Sequence, residues 1–483
     1  MALRSLCIHG HFYQPPREDP ITGLIPLEVG AAPYKNWNER IHAECYRPNA
    51  ELGNFKRISF NVGPTLFEWM ESHDPETYHR IIAQDRSNLE QNGVGNAMAQ
   101  AYNHTILPLA KIDDKRTQIA WGMADFQHRF GRAPEGMWLP ETAADLETLS
   151  VLAEQGIQFT ILAPWQADVD TLDPSEPYRV DLPDGNNIAV FFYNAELSSL
   201  ISFDAHATTN ADTFINKYLI RHFNETKTQS GEPQVIIAAS DGELYGHHKQ
   251  FRDRFLAHLV NGGRINAGIN ATYPGLWLKE WKPRRSISIR NDTSWSCHHG
   301  VLRWMGECGC TPGNGSWKTY LRMAFDRLAD SLEKVYLEFV TPYIPDPYAL
   351  RNRYIDVLLG RISGDELIHE MAGKRLEPDI SISIQYLLEA QRERQRMFTS
   401  CGWYFEDFAR IEPKNNVAYA AQAVRLTCMA TGVNLAGQAY SELQHVLSYQ
   451  TGLRGDTVFR RQYLRAETKE GSCADLEPTA TAA

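Results

Sequence analysis

Five apolar residues in a row, Val235, Ile236, Ile237, Ala238 and Ala239, are followed at once by Ser240, Asp241, Glu243, Tyr245, His247 and His248, with glycines at 242 and 246. The run is too short for a helix and shows no polar alternation. It predicts a strand buried on both faces, as strands are in parallel sheets. In parallel α/β folds ligands bind beyond the carboxyl ends of the strands, where these polar residues stand. Asp241 and Glu243 would also suit the first turn of a following helix, whose dipole favours acidic residues. Two carboxylates and two imidazoles gathered at one strand end favour a site.

The arrangement recurs along the chain. Leu6-Cys7-Ile8 leads to His9 and His11, RISFN (57–61) to Asn61, and GNAMAQAYNH (95–104) to Asn103 and His104. Glu135–Leu139 leads to Pro140-Glu141, FTILA (159–163) to Pro164-Trp165, and IAVFFY (188–193) to Asn194. Helical periods fill the gaps: after Pro64, over Pro75–Leu89, from Asp113 or Asp114 through Phe130, and over Ala211–Phe223. A further helix is expected from a Thr142 cap, with Asp145 at the capping-box position, to Gly156. Strands that alternate with helices and end in polar or aromatic residues predict a parallel β/α barrel with its site on the carboxyl face.

Beyond Pro283 the pattern changes. Ser286–Tyr320 is loop-rich, and the strong periods that follow are helical: Trp317–Val340, Tyr348–Leu359, Ser381–Arg396, Val417–Ala430 and Gln438–Tyr449. The expected organisation is a catalytic α/β barrel over 1–285, a loop-rich segment with an all-α domain over 286–467, and a disordered tail over 468–483.

Composition narrows the chemistry. A hydrophobic content of 43% in 483 residues supports packed cores. The net charge of -11, with no long run of either sign, argues against nucleic acid or an anionic membrane as partner. A neutral polar substrate fits better, and 11 Trp with 21 Tyr offer faces for sugar rings. The opening MALRSLCIHGH lacks the apolar stretch of a signal peptide, and no apolar run reaches the roughly 18 residues of a membrane span. Eight cysteines show no disulfide-scaffold pattern, so a cytoplasmic protein with reduced thiols is expected. Oligomeric state leaves no signature in the sequence.

Glu141 ends one strand and Asp241 a later one, so a closed barrel can bring them together. Two carboxylates across a cleft, with imidazole and aromatic neighbours, are what glycoside cleavage requires. GHFYQPP (10–16), GMWLPE (136–141) and SDGELYGHH (240–248) resemble, in order, three signature regions of glycoside hydrolase family 57. The resemblance covers Leu6 to Trp281. It implies a distorted (β/α)7 barrel, retention of anomeric configuration, and action on α-linked glucans or galactosides. It implies Glu141 as nucleophile and Asp241 as acid/base, with His11 lining the sugar site. Asn61, His104, Trp138, Trp165, Glu243 and His247 are the further residues expected to contact substrate. Two positions depart from the family pattern: Tyr13 stands where many members carry a second His, and 95–104 lacks an expected acidic residue. Both departures bear on which sugar is bound more than on bond cleavage. The SWSCHHGVLRWMGECGC segment (294–310) and the helices after it resemble an uncharacterised C-terminal extension of some members.

Two competing readings remain at this level. One is a metal-dependent, deacetylase-like hydrolase with Asp241 and His247 or His248 as ligands. The other is a glycan-binding protein without turnover. Hydrolysis and transfer are not separable either, since both proceed through the covalent glycosyl-enzyme. Cys297, His298, His299, Cys308 and Cys310 are of the ligand types zinc prefers, but their spacing matches no common CxxC pairing. That segment is read as a packed loop over the barrel mouth, and no metal or cofactor is expected.

Overall fold

The computed structural model describes residues 3–467. They form two compact units. The first takes the chain up to Gln14, Leu27–Tyr102 and Asp125–Ser296; the second takes Pro15–Pro26, Asn103–Ala124 and the chain from Cys297 onward. The change of unit thus falls between Ser296 and Cys297, not at residue 285, and two early segments belong with the helices. The tail expected over 468–483 lies outside the described residues.

The strands of the first unit are β1 (Arg4–Phe12), β2 (Ser59–Val62), β3 (Ala99–Gln100), β4 (Met137–Trp138), β5 (Phe159–Leu162), β6 (Tyr178–Asp181), β7 (Asn187–Phe192), β8 (Gln234–Asp241) and β9 (Asn270–Ala271). β1 pairs in parallel with β2 on one side and β8 on the other, β3 with β4, and β5 with β7. Parallel bridges Phe60–Ala97 and Gly136–Phe159 carry the ring from β2 to β3 and from β4 to β5. Beyond the end of β7, the Asn194 N–H donates to the Ile237 carbonyl at 2.7 Å, which joins β7 to β8. The circuit β1-β2-β3-β4-β5-β7-β8 is a distorted (β/α)7 barrel. β6 lies antiparallel on β7, and β9 adds a short pairing near the start of β1.

Alternation along the strands separates the inside of the barrel from the outside. Val235, Ile237 and Ala239 of β8 pack with Phe159, Ile161 and Ala163, with Phe191 and Tyr193, and with Cys7, Met98 and Trp138. These are alternate residues on successive strands, so they mark the interior. The same phase continued upward brings His9 and His11 on β1 and Asp241 on β8 inside, at the carboxyl end. The barrel floor is therefore apolar and its mouth polar.

Several local expectations change. The helix after β4 is Leu146–Glu154, and its N-cap is Asp145, whose side chain accepts from the Thr148 N–H. Thr142 instead donates to Gln166 Oε1 at 2.9 Å. The span expected as one helix over 211–223 is divided between Ala211–Thr213, a wide turn Phe214–Leu219 and a tight turn Ile220–His222. Pairing within 95–104 is confined to β3 and its flanking bridge, and β6, only four residues long, was not read from the sequence.

The second unit is helical: Ser316–Val340, Pro347–Leu358, Gly364–Ala372, Pro378–Arg396, Ile411–Thr431, Ala436–Leu443 and Gly455–Glu467. The helix expected over 438–449 stops at Leu443, because the chain beyond it pairs Leu447 with Arg454. Gly364–Ala372 begins with a reciprocal Ser363–Glu366 cap that the sequence reading passed over. At the centre of this unit the Arg394 guanidinium donates to both oxygens of Asp114, at 2.8 and 3.1 Å, and Arg351 stands 3.1 Å from the same carboxylate. Among the described residues no helix is long and apolar enough to cross a membrane.

Gly242 tests the packing beneath the barrel mouth. A Cβ there would meet the Phe12 ring at 2.2 Å, and Phe12 is fully buried. Gly242→Ala should destabilise the protein by about 1–3 kcal/mol through overpacking. The measurement is the urea midpoint, and Phe12→Leu in the same chain should recover part of the loss.

Candidate active site

Strand register assembles the centre of the site. His11 pairs with Asn61 of β2 on one side and with Asp241 of β8 on the other, so the three residues stand level across three neighbouring strands. Asn61 Nδ2 lies 2.9 Å from His11 Nδ1 and 2.7 Å from Gln100 Oε1. Burial pushes His11 down to about 4, with the Asn61 bond working the other way, and burial pushes His9 down to about 3. Both rings are neutral at pH 7. His9 and His11 stack on Trp138, with centroids 4.5 and 5.4 Å apart, and Trp295 meets Trp138 edge-on at 5.2 Å.

Glu141 is presented by a left-handed turn. Its φ is 58° and that of Thr142 is 47°, a conformation that costs a non-glycine residue about 1 kcal/mol or more. Partners around it hold that turn. The Glu141 carbonyl accepts from the Trp295 N–H at 3.0 Å, and Thr142 is tied to Gln166 through its side chain and its carbonyl. Glu141 Oε2 accepts from Trp295 Nε1 at 3.0 Å and from Ser296 Oγ at 2.7 Å. Hydrogen bonds donated to a carboxylate favour its charged form.

Asp241 has the opposite environment. The residue opens to solvent at the strand end, but the protein around its carboxyl displaces much of the bulk water. That desolvation, then the negative charges of Glu243 and Glu141, push the Asp241 carboxyl well above the usual carboxylate range. Glu243 is itself buried, with Oε1 accepting from Tyr46 Oη at 2.6 Å and from the Tyr13 N–H at 3.1 Å. Burial raises Glu243 to about 7 against the lowering effect of these bonds.

The remaining expected contacts divide. Trp165 is 41% exposed, donates through Nε1 to the Ser294 carbonyl at 2.9 Å and meets Tyr193 edge-on, which leaves indole surface open to solvent. Trp138 has no exposed surface, so it supports His9 and His11 from below and is no sugar platform. Glu243 is likewise an internal group that acts on Asp241 through its charge. His247 pairs through Nδ1 with Glu44 and stands edge-on to Trp37. His104 belongs to the helical unit, where it is buried with Nδ1 2.6 Å from Ser400 Oγ. The chain leaves the barrel after β3, which is why a strand-end reading misplaced it. Gly246, where the sequence offers either close approach of backbone to a ligand or a sharp turn, has a φ of 149°, and a Cβ there would stand 2.3 Å from the Glu44 carbonyl oxygen. Trp295 and Ser296 were not singled out; only the aromatic and hydroxyl content of their loop hinted at them.

The ligand set of a metal-dependent hydrolase does not gather at Asp241. Among the described residues the one cluster of three or more side chains suited to a metal comprises Cys297, His299, Cys308 and Cys310, and neither Asp241, His247 nor His248 joins it.

A (β/α)7 barrel with two carboxyls in contrasting surroundings at its mouth, one accepting two hydrogen bonds and one desolvated beside other acids, has the layout of a glycosidase-like protein. The model of "Glycosyl hydrolase family 57" matches residues 17–288, more than half of the chain, and the chain belongs to that family. Residues 314–471 match a domain of unknown function, DUF3536. A 4-alpha-glucanotransferase of Thermococcus litoralis is 26% identical over 263 residues, 52% of this chain and 37% of the relative. An alpha-amylase of Pyrococcus furiosus is 25% identical over 267 residues, 52% of this chain and 38% of the relative. The matches thus span little more than a third of these curated relatives. Among solved structures, an exo-type maltose-forming amylase from Pyrococcus sp. ST04 superposes with a TM-score of 0.77 at 16% identity, covering 95% of this chain and 88% of that one. A branching enzyme of family 57 from Thermococcus kodakaraensis gives 0.62 at 16% identity, covering 96% and 94%. These two likenesses concern the fold.

Glu243 yields a pH prediction. Its folded-state value, about 7, lies above the ordinary 4.5, so its contribution to stability is complete below about 4.5 and is lost as pH rises through about 7. Glu243→Gln keeps an acceptor for Tyr46 and Tyr13 but cannot ionise. Between about pH 5 and 8 the melting temperature of the wild type should fall more than that of Glu243→Gln. The alkaline limb of kcat/KM should also move to lower pH in the variant, because Asp241 loses the neighbouring charge that helps to hold its proton.

Proposed function

We propose that the chain is a retaining α-glucan-active glycosidase or transglycosylase, with Glu141 as nucleophile and Asp241 as general acid/base. The observation that carries this reading is the opposed state of the two carboxyls. Glu141 accepts two hydrogen bonds of the kind that favours a carboxylate's charged form, and desolvation with acidic neighbours raises the Asp241 carboxyl well above the usual range. A pair with separated proton affinities is what a double-displacement mechanism needs. Family membership supports the reaction class, and the names of the curated relatives support α-glucan as the substrate class.

In the first step Asp241 gives its proton to the glycosidic oxygen while Glu141 attacks the anomeric carbon. The bond to the leaving group breaks as the Glu141 ester forms. In the second step Asp241, now a carboxylate, takes a proton from the acceptor, which displaces Glu141 from the opposite face and restores the original configuration. The His11 ring is suited to a sugar hydroxyl or ring substituent, and the open face of Trp165 to a sugar ring. Water as acceptor gives hydrolysis; a sugar hydroxyl gives transfer.

The test uses maltooligosaccharides. Products longer than the substrate report transfer, and shorter ones alone report hydrolysis. Calorimetric binding with no new product from the wild type would overturn the reading. Glu141→Ala should lose roughly 10³-fold or more in kcat. Added azide should partly rescue it with a glycosyl azide of inverted configuration. Asp241→Ala with azide should give the retained configuration, and an inverted product there would exchange the two roles.

A further inference from the structure

We propose that Cys297, His299, Cys308 and Cys310 form a structural zinc site in the helical unit. The ligating atoms of these four side chains lie within 4.8 Å of one another. Cys297 Sγ and Cys310 Sγ are 3.7 Å apart, and Cys310 Sγ is 3.4 Å from His299 Nδ1. With zinc–sulfur bonds of about 2.3 Å and zinc–nitrogen bonds of about 2.0–2.1 Å, a tetrahedron has S···S edges of about 3.8 Å and S···N edges of about 3.5 Å. The two separations match those edges. A sulfur separation of 3.7 Å is far longer than the roughly 2.05 Å of a disulfide.

The surroundings favour the same reading. Three thiolates and one neutral imidazole around Zn²⁺ leave one net negative charge, and the buried Lys318 side chain stands beside the loop. Lys318 Nζ lies 3.2 Å from Thr311 Oγ1, on the same loop. Gly309, at a φ of 70°, makes the tight turn that lets Cys308 and Cys310 face one centre. The loop carries only one turn of regular structure, Leu302–Trp304, between Cys297 and Ser316. A metal would supply the cross-link that backbone pairing does not.

Four protein ligands fill a tetrahedral zinc, so the site leaves no open position for a substrate and its role is structural. Each Zn–S bond forms as the thiol gives its proton to solvent. The soft donor set selects against magnesium and calcium. The first ligand is the residue after Ser296, so the metal would anchor the chain immediately beyond the segment that holds Glu141.

The full-length protein, purified under reducing conditions in zinc-supplemented buffer, is assayed by elemental mass spectrometry. About one zinc per chain should survive a chelator wash and gel filtration, with the content lost in Cys308→Ser and Cys310→Ser. Because those variants could fail to fold, the wild type is also loaded with Co²⁺. Tetrahedral S₃N coordination should give thiolate-to-cobalt charge transfer and intense visible bands, and His299→Cys should strengthen the charge transfer. Strong chelation should lower the melting temperature reversibly, with restoration by zinc and not by magnesium. A wild type that carries no tightly held metal, zinc that washes out without changing the melting temperature, a Cys297–Cys310 disulfide in the reduced preparation, or octahedral cobalt bands would each overturn the site.

Discussion

The site depends on the parallel register between β1 and its two neighbours. That register puts Asn61, His11 and Asp241 at one level, with their side chains on the inner face. A slip of one residue in either pairing would turn every second side chain to the helix side of the sheet. His11 and Asp241 would then leave the mouth, and Ser240 and Phe12 would take their places. The apolar residues below them, Val235, Ile237, Ala239 and Cys7, prevent this slip, because it would remove them from the core. Burying a side chain the size of Val235 or Ile237 stabilises by about 1.5–3 kcal/mol, more than the polar contacts above them would gain from moving. The floor of the barrel sets the position of its chemistry.

Proton placement follows from position. Asp241 and Glu141 are both carboxyls, yet one is crowded by protein and acidic neighbours while the other receives an indole N–H and a hydroxyl. Glu243 reinforces the difference from a buried pocket that holds its own charge unfavourably. Tyr46 and the Tyr13 backbone keep that pocket fixed. Tyr13, which departs from the family pattern as a side chain, takes part here through its main-chain N–H.

Much of this was legible in the sequence where one strand's pattern carried the information. The apolar run 235–239 and the GMWLPE turn located Asp241 and Glu141, strand ends located His11 and Asn61, and the family resemblance put His11 at the sugar site. What was not legible came from partners distant in the chain. Trp138 looked like a sugar platform, yet both histidines of β1 stack on it and cover it. His104 ended an extended segment, but the chain changes unit at Asn103. Trp295 and Ser296 lie some 150 residues from the carboxylate they hold, and no local spacing announces such a bond. The cysteine cluster was obscured because its ligands come in x-spaced pairs, C-x-H and C-x-C, separated by a loop whose fold alone brings them together.

The left-handed backbone at Glu141 has an evolutionary consequence. Positions at φ near 58° are where glycine relieves strain, so a glycine here would tend to make the chain more stable while removing the carboxylate. If Glu141 is the nucleophile proposed above, selection for robustness and selection for catalysis pull this codon in opposite directions. A library sorted on heat resistance alone would favour glycine at 141 and discard the carboxylate assigned above as the proposed nucleophile. On the proposed role of Glu141, turnover of substrate has to be part of any such sorting for glutamate to persist there.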